Sequence, residues 1–204
     1  MKHAVIFDID GTIIESAAED DRIYRESVLQ VLGDVRLRTG LADYNPVTDS
    51  GILLQILADN GLPADKATIE TVKATFFERM RAHIDSVGPF KPFPGARSVI
   101  ARIEKSDEHR LAFATGGWRQ SAEMKLSSAG FDIGAAPLAT SDDAIHRTEI
   151  MRFALSGIDE DCAIVTYFGD GPWDERACRE LGWSFQPVGP NLGGLETFDG
   201  LFMT

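Results

Sequence analysis

Two aspartates lie two residues apart directly after the first apolar segment of this 204-residue chain. The segment Ala4–Phe7 is typical of a buried strand, and Asp8 and Asp10 follow it. Because side chains alternate between the faces of an extended strand, both carboxylates are predicted to lie on one side, with Phe7 and Ile9 pointing into the core. Two close carboxylates repel each other, and either a raised pKa on one of them or a bound cation relieves that repulsion. Magnesium prefers oxygen ligands and leaves room for a phosphate group, so the pair indicates chemistry on phosphate, although an Asp before a Gly is also common in plain turns.

A hydroxyl and two glycines follow a second apolar run. Thr115, Gly116 and Gly117 come after Leu111–Ala114 and precede a segment with a helical pattern. Backbone N–H groups and a hydroxyl at the start of a helix can bind a phosphate group. The alternative is a simple strand-to-helix turn in which glycine provides the geometry. Thr115 and Gly116 therefore indicate a phosphate site only in combination with the other candidate residues.

A basic residue, Arg147, lies at the predicted start of a later helix, after an apolar segment that ends at Thr140. Its guanidinium offers a fork of donors suited to phosphate oxygens. The alternative is a surface arginine paired with Glu149 or Asp143. Arg147 is thus a candidate for neutralising a bound anion.

Two further aspartates, Asp170 and Asp174, flank a Gly-Pro turn after the strand-like run 163–169. Pro172 suits the first position of a helix. Asp174 alone could serve as a helix cap, whereas Asp170 is harder to explain as a structural residue. The turn therefore supplies a second pair of candidate metal ligands.

Short apolar runs recur along the chain with helical patterns between the later ones. This alternation predicts an α/β fold with a doubly wound, Rossmann-like core, in which a parallel sheet lies between two helical layers. The predicted strands are residues 3–9, 110–115, 136–140, 163–169 and 184–188. Open α/β sheets bind ligands beyond the carboxyl ends of their strands, and the candidate residues lie at or just after such ends.

About a hundred residues separate the first predicted strand from the second, far more than one crossover requires. Helices are predicted in this stretch at residues 16–33, 48–60 and 64–86. The third carries one apolar stripe, and the prolines between residues 89 and 95 stiffen the return to the sheet. The stripe consists of Ile69, Val72, Phe76, Met80 and Ile84. We therefore predict a core domain of residues 1–14 and 91–204, with a helical inserted domain of residues 15–90.

The composition limits the class of partner. The chain has 32 acidic and 20 basic residues and a net charge of −12, which disfavours binding to nucleic acid or to an anionic membrane. Cys162 and Cys178 show no spacing typical of a disulfide framework or a zinc site. No apolar stretch approaches the roughly 18 residues of a membrane span. We expect a soluble, cytoplasmic protein whose anionic ligand is bound locally.

Taken in order, the motifs resemble those of the haloacid dehalogenase superfamily of phosphatases. These motifs are Asp8-Ile9-Asp10-Gly11-Thr12, Thr115-Gly116, a basic residue and Gly169-Asp170-x-x-x-Asp174. The helical insertion directly after the first motif is similar to that family's C1 cap domain, as in its phosphoglycolate phosphatase and β-phosphoglucomutase branch. The resemblance implies a magnesium-dependent phosphatase that acts on a small phosphorylated metabolite.

The resemblance also implies roles for individual residues. Asp8 would attack the phosphorus to form an aspartyl-phosphate, while Asp10 would protonate the leaving oxygen and then activate water. Magnesium would be bound by Asp8, the backbone carbonyl of Asp10 and Asp170, with help from Asp174.

Phosphate binding would fall to three further residues. Thr115 and the N–H of Gly116 would hold the phosphoryl group, and Arg147 would neutralise its charge. The basic residue of the family is more often a lysine, so Lys125 is the substitute if Arg147 does not reach the site. The sequence around Lys125 is typical of an ordinary exposed helix position.

Other functions share these motifs. A phosphomutase would use every core residue, and a phosphate-binding or regulatory module could keep the site without activity. Asp10 disfavours a dehalogenase, whose leaving group needs no proton. The residues that read the organic part of the substrate are expected around 40–49 and near Trp118, but they specify no particular metabolite, and the oligomeric state is likewise open.

Overall fold

A single parallel sheet forms the centre of the computed structural model, which describes residues 2–159 and 161–202. Its five strands run in the order β3-β2-β1-β4-β5, and every neighbouring pair is parallel. The strands are β1 (Lys2–Phe7), β2 (His109–Ala114), β3 (Leu138–Ala139), β4 (Cys162–Gly169) and β5 (Ser184–Pro187). The predicted α/β class with a parallel sheet is confirmed, and the first strand lies in the middle of the sheet.

Helices cover both faces of this sheet. They are α1 (Ala17–Leu32), α2 (Asp49–Asp59), α3 (Lys66–Val87), α4 (Ala96–Glu104), α5 (Arg119–Ser128), α6 (Arg147–Ser156) and α7 (Pro172–Leu181). Among the described residues, no helix is both long enough and apolar enough to cross a membrane.

Alternating side chains of β1 divide the core into two layers. Phe7 stacks on Phe168 with 4.8 Å between ring centroids and meets Phe198 edge-on at 5.7 Å. Ile6 points to the opposite face, where it packs with Ala112 and Tyr167 below α6 and α7. The strand is therefore buried on both sides, as its uninterrupted apolar run indicates.

The connection from β1 to β2 contains the helical insertion. In α3 the predicted stripe is confirmed, because Val72, Phe76 and Met80 are fully buried. Thr48 caps α2, since its side-chain oxygen accepts a hydrogen bond from the Gly51 N–H at 3.1 Å. Such caps satisfy backbone donors that a helix leaves unpaired.

The chain leaves and re-enters the sheet layer at neighbouring points. The Glu15 N–H donates to the Lys91 carbonyl, and the Phe93 N–H donates to the Ile13 carbonyl, each at 2.9 Å. Both connections to the insertion are therefore fixed side by side next to the end of β1.

The third strand is shorter than the predicted 136–140. Pro137 accepts a hydrogen bond from the Phe113 N–H at 2.8 Å but has no N–H to donate. At the other end, the Thr140 N–H binds Asp143 Oδ2 at 2.8 Å instead of extending the ladder. A proline and a side-chain cap thus limit β3 to two residues.

Candidate active site

A cavity of about 380 Å³ lies beyond the carboxyl ends of β1, β2 and β4. Predicted site residues from distant parts of the chain line it together, while Asp174 lies directly behind, in contact with Arg147. The lining includes Asp8, Asp10, Thr115, Gly116, Arg147 and Asp170. The sheet therefore brings the motifs to one place.

Three buried carboxylates form a compact group in this region. Asp8, Asp170 and Asp174 each offer an oxygen within 4.8 Å of the others. Asp8 Oδ1 is buried and has no hydrogen-bond partner among the residues that the structure describes. Three hard oxygen donors, one of them unsatisfied, fit a magnesium ion. The Asp10 side chain lies outside this group, so its predicted part in metal binding depends on the backbone carbonyl.

Burial shifts the pKa values of these carboxylates. It raises the pKa of Asp8 well above the usual value, and the charges of Asp174, Asp170 and Asp10 add to the effect, which Arg147 partly opposes. Burial, with the charge of Asp174, also raises the pKa of Asp170 to about 7. A divalent cation would favour the charged forms and so reverse the direction of these shifts.

Arg147 lies at the start of α6, and its side chain extends to the cluster of three buried carboxylates. Its Nη1 donates to Asp174 Oδ1 at 2.7 Å and lies 3.7 Å from Asp8 Oδ1. Its Nη2 donates to the Val47 carbonyl at 3.3 Å. The surface pairing with Glu149 or Asp143 is not what the structure contains. The Arg147 side chain is instead mostly buried, with 11% of its surface exposed, and it lines the cavity.

The loop after β2 approaches Arg147 closely. The Thr115 hydroxyl accepts a hydrogen bond from the Gly117 N–H at 3.1 Å. A β-carbon on Gly116 would lie 2.6 Å from Arg147 Nη2 and 3.0 Å from the Val47 carbonyl oxygen. Only glycine allows this approach, so the loop and the guanidinium lie against the same cavity.

The prediction that Lys125 occupies an ordinary exposed helix position is wrong. Its side chain is completely buried, and Nζ donates to Asp10 Oδ2 at 2.7 Å and also to Asp20 Oδ1. Burial opposes the charged form, but the charges of Asp10 and Asp20 outweigh it and raise the pKa of Lys125. The signal in the sequence was its helical spacing from Ala122, which places both on the buried face of α5.

Residues of the insertion also line the cavity, and sequence reasoning missed two of them, Asp20 and Tyr24. Asp20 and Tyr24 lie four residues apart, on one face of α1, and Asp49 begins α2. The Tyr24 hydroxyl donates to the Asp49 carbonyl at 2.7 Å, and the Trp118 N–H donates to Asp49 Oδ2 at 2.9 Å. Burial raises the pKa of Asp20 to about 6 even though Lys125 opposes this shift. The expected substrate-reading region at 40–49 therefore does border the cavity, through residues that include Asp49.

Comparison with known proteins gives a family and a set of related folds. Residues 2–182 match the family model described as haloacid dehalogenase-like hydrolase. A search of curated proteins finds no match.

Several solved structures share the fold. CbbY from Rhodobacter sphaeroides in complex with phosphate is 20% identical with a TM-score of 0.69, covering 99% of this chain and 91% of that one. A β-phosphoglucomutase from Clostridium difficile is 16% identical with a TM-score of 0.73, covering 94% and 87%. A phosphoglycolate phosphatase, so assigned provisionally, from Lactobacillus plantarum is 21% identical with a TM-score of 0.62, covering 92% and 87%. At these identities the likeness concerns the fold.

Proposed function

Because the chain belongs to the haloacid dehalogenase-like hydrolases, we propose that it is a magnesium-dependent phosphatase that hydrolyses a small phosphorylated metabolite. The observation that carries the proposal is that Asp8, Asp170 and Arg147 line one cavity, with Asp174 directly behind them. Transfer of a phosphoryl group depends mainly on positioning and on stabilisation of charge, and this cavity offers both.

The reaction proceeds in two steps on this proposal. An Asp8 carboxylate oxygen attacks phosphorus, the bond from phosphorus to the ester oxygen breaks, and the leaving oxygen takes a proton from Asp10. A water oxygen then attacks the phosphorus of the aspartyl-phosphate, with Asp10 taking a proton from this water. The bond to Asp8 breaks, which releases inorganic phosphate and restores the starting protonation.

The metal would be held by Asp8, the backbone carbonyl of Asp10 and Asp170, with Asp174 nearby. When bound, magnesium supplies positive charge that offsets the charge on the phosphoryl oxygens. Asp8 needs such an environment, because burial favours its protonated form, which is a poor nucleophile.

The phosphoryl oxygens would be bound by the Thr115 hydroxyl, the Gly116 N–H and the Arg147 guanidinium. Arg147 is well placed for this role, since Nη1 lies 3.7 Å from Asp8 Oδ1. Its bonds to Asp174 and to the Val47 carbonyl fix the orientation of the planar group. Lys125 contacts Asp10 instead, which supports Arg147 as the phosphate-neutralising cation.

We further propose that residues 15–90 form a cap domain on a core of residues 1–14 and 91–204. Two connections support the boundaries, since the Glu15 N–H and the Lys91 carbonyl are paired at 2.9 Å where the chain leaves and returns. The cap contributes Asp20, Tyr24 and Asp49 to the cavity wall. The organic part of the substrate would therefore lie between the cap and the cluster of three buried carboxylates.

A phosphate-release screen over phosphorylated metabolites with magnesium tests the function, with Asp8→Asn as the blank. We expect the wild-type protein to release inorganic phosphate from at least one small monoester and Asp8→Asn to release none. A folded protein that hydrolyses no monoester in a broad panel would refute the proposal and leave a binding or regulatory module. Steady conversion between phosphate isomers without net release of phosphate would instead identify a phosphomutase.

A further inference from the structure

The buried ammonium group of Lys125 joins two carboxylates from different parts of the chain. Lys125 belongs to α5, and its Nζ donates to Asp10 Oδ2 at 2.7 Å and to Asp20 Oδ1 of α1. The lysine side chain is 0% exposed, while those of Asp10 and Asp20 are 17% and 14% exposed. The ammonium is therefore sealed behind the carboxylates.

This contact fixes the orientation of Asp10. Its other oxygen, Oδ1, accepts a hydrogen bond from the Ser16 hydroxyl, so each carboxylate oxygen has a donor. A β-carbon placed on Gly117 would lie 3.7 Å from Asp10 Oδ2 and 3.6 Å from the Thr115 hydroxyl oxygen. The oxygen held by Lys125 and the proposed phosphate-binding hydroxyl therefore both lie next to Gly117, which lines the cavity.

A role in joining the insertion to the sheet layer does not by itself explain a charged group here. Lys73 of α3 makes such a link at a half-buried position, where Nζ contacts Asp142 Oδ1 at 2.5 Å. Burying a charged group such as the Lys125 ammonium is costly, and apolar packing can often replace a buried ion pair without loss of stability. The charge and donors of Lys125 are explained by the residue they reach, Asp10.

We propose that Lys125 is a positioning residue, which holds the Asp10 carboxylate toward the leaving oxygen of the substrate and is itself held by Asp20. The inference rests on the proposed function of Asp10 as the acid and base of a phosphatase. It assigns to the lysine no contact with substrate. Because the same ammonium group binds Asp20 of α1, the position of α1 and the orientation of Asp10 would depend on each other.

The dependence of rate on the leaving group tests this role. The three probes are p-nitrophenyl phosphate, phenyl phosphate and glycerol 1-phosphate, whose leaving oxygens are increasingly basic and increasingly need a proton. With Lys125→Met, we expect kcat/KM for glycerol 1-phosphate to fall about 10-fold or more beyond the fall for p-nitrophenyl phosphate, within the range of general acid catalysis. Magnesium affinity, measured by calorimetry, should stay near the wild-type value.

Two variants separate this result from a structural effect. Lys73→Met removes an ion pair between the insertion and the sheet layer without touching Asp10, so it should change the three rates by the same factor. The double variant Lys125→Met/Asp20→Asn removes the stranded Asp20 charge and gives a second, folded test if the single variant unfolds. In an Asp10→Ala background, Lys125→Met should leave the leaving-group dependence unchanged.

Equal losses for all three probes in Lys125→Met, or in the double variant, would overturn the positioning role while the wild-type activity still supports the phosphatase. Wild-type protein that hydrolyses none of the probes, nor any monoester of the screen, would refute the proposed function and the inference with it.

Discussion

The carboxylates at the cavity have different surroundings, and the proposed function gives them different roles. Asp8 and Asp170 lie in the buried group suited to a cation, whereas both oxygens of the Asp10 side chain are engaged by Ser16 and Lys125. The proposal therefore gives metal binding and proton transfer to different side chains, and substitutions should separate the two effects.

We expect Asp170→Ala to abolish turnover through loss of magnesium affinity, which should fall by about 100-fold or more since even indirect partners of a metal contribute 10–100-fold. Asp10→Ala should lower kcat by about 10²–10⁴ because it removes the acid and base. Its magnesium affinity should stay near normal. Calorimetric titration with magnesium alongside phosphate-release kinetics distinguishes the two effects. Near-normal turnover by Asp10→Ala would show that its assignment is wrong.

The sequence predicted some of these residues and could not predict others. Asp8, Asp10 and Asp170 were found because strand ends are visible in the apolar pattern and meet at one sheet edge. The sequence predicts an exposed Lys125, because charged residues are rarely fully buried and its partners Asp10 and Asp20 are more than 100 positions away. Pairing over such a distance depends on how α5 and α1 pack, which no local pattern specifies.

At the scale of elements, β1 supports the site. Its neighbours β2 and β4 bring Thr115 and Asp170 to the same edge as Asp8, and the parallel register aligns Phe7 with Phe113 and Phe168. The apolar runs predicted four of the strands closely. The remaining strand, β3, is shorter than predicted, because the Thr140 N–H donates to the nearby Asp143 side chain instead of extending the ladder.

Phe7→Ala should destabilise the protein by about 3–5 kcal/mol, because it leaves a cavity among stacked aromatic rings next to the site. Ile164→Thr is a matched control on β4, since Ile164 is 56% exposed and the substitution keeps a β-branched residue; its effect should stay within about 0.5 kcal/mol. Urea unfolding followed by circular dichroism measures both. Similar midpoints for the two variants would contradict the packing described for β1.

At the scale of the whole molecule, the raised pKa values of the cavity carboxylates make stability depend on pH, and a metal bound to the same carboxylates would change that dependence. The net charge is −12, and several buried carboxylates at the cavity have raised pKa values, with Asp170 raised to about 7. A raised pKa in the folded state means that the protonated group favours folding. This contribution is complete below the pKa of the unfolded chain and is lost as the pH rises through about 7.

Magnesium should therefore stabilise the protein more at about pH 8 than at about pH 5.5, since protons compete for the same carboxylates at the lower pH. Without metal, the melting temperature should fall as pH rises across this interval. Thermal unfolding with and without magnesium at both pH values measures the effect. Asp170→Asn should weaken the pH dependence and remove most of the magnesium shift. An equal magnesium shift at both pH values in the wild-type protein would contradict the proposed ligands.

The most direct test of the account is a crystal structure with magnesium and beryllium fluoride, a mimic of a phosphoryl group attached to a carboxylate. We expect the mimic on the Asp8 carboxylate, its fluorines bound by Thr115, Gly116 and Arg147, and magnesium beside it on Asp8 and Asp170. An Asp8 carboxylate free of both mimic and metal, with beryllium fluoride bound elsewhere or not at all, would contradict the account.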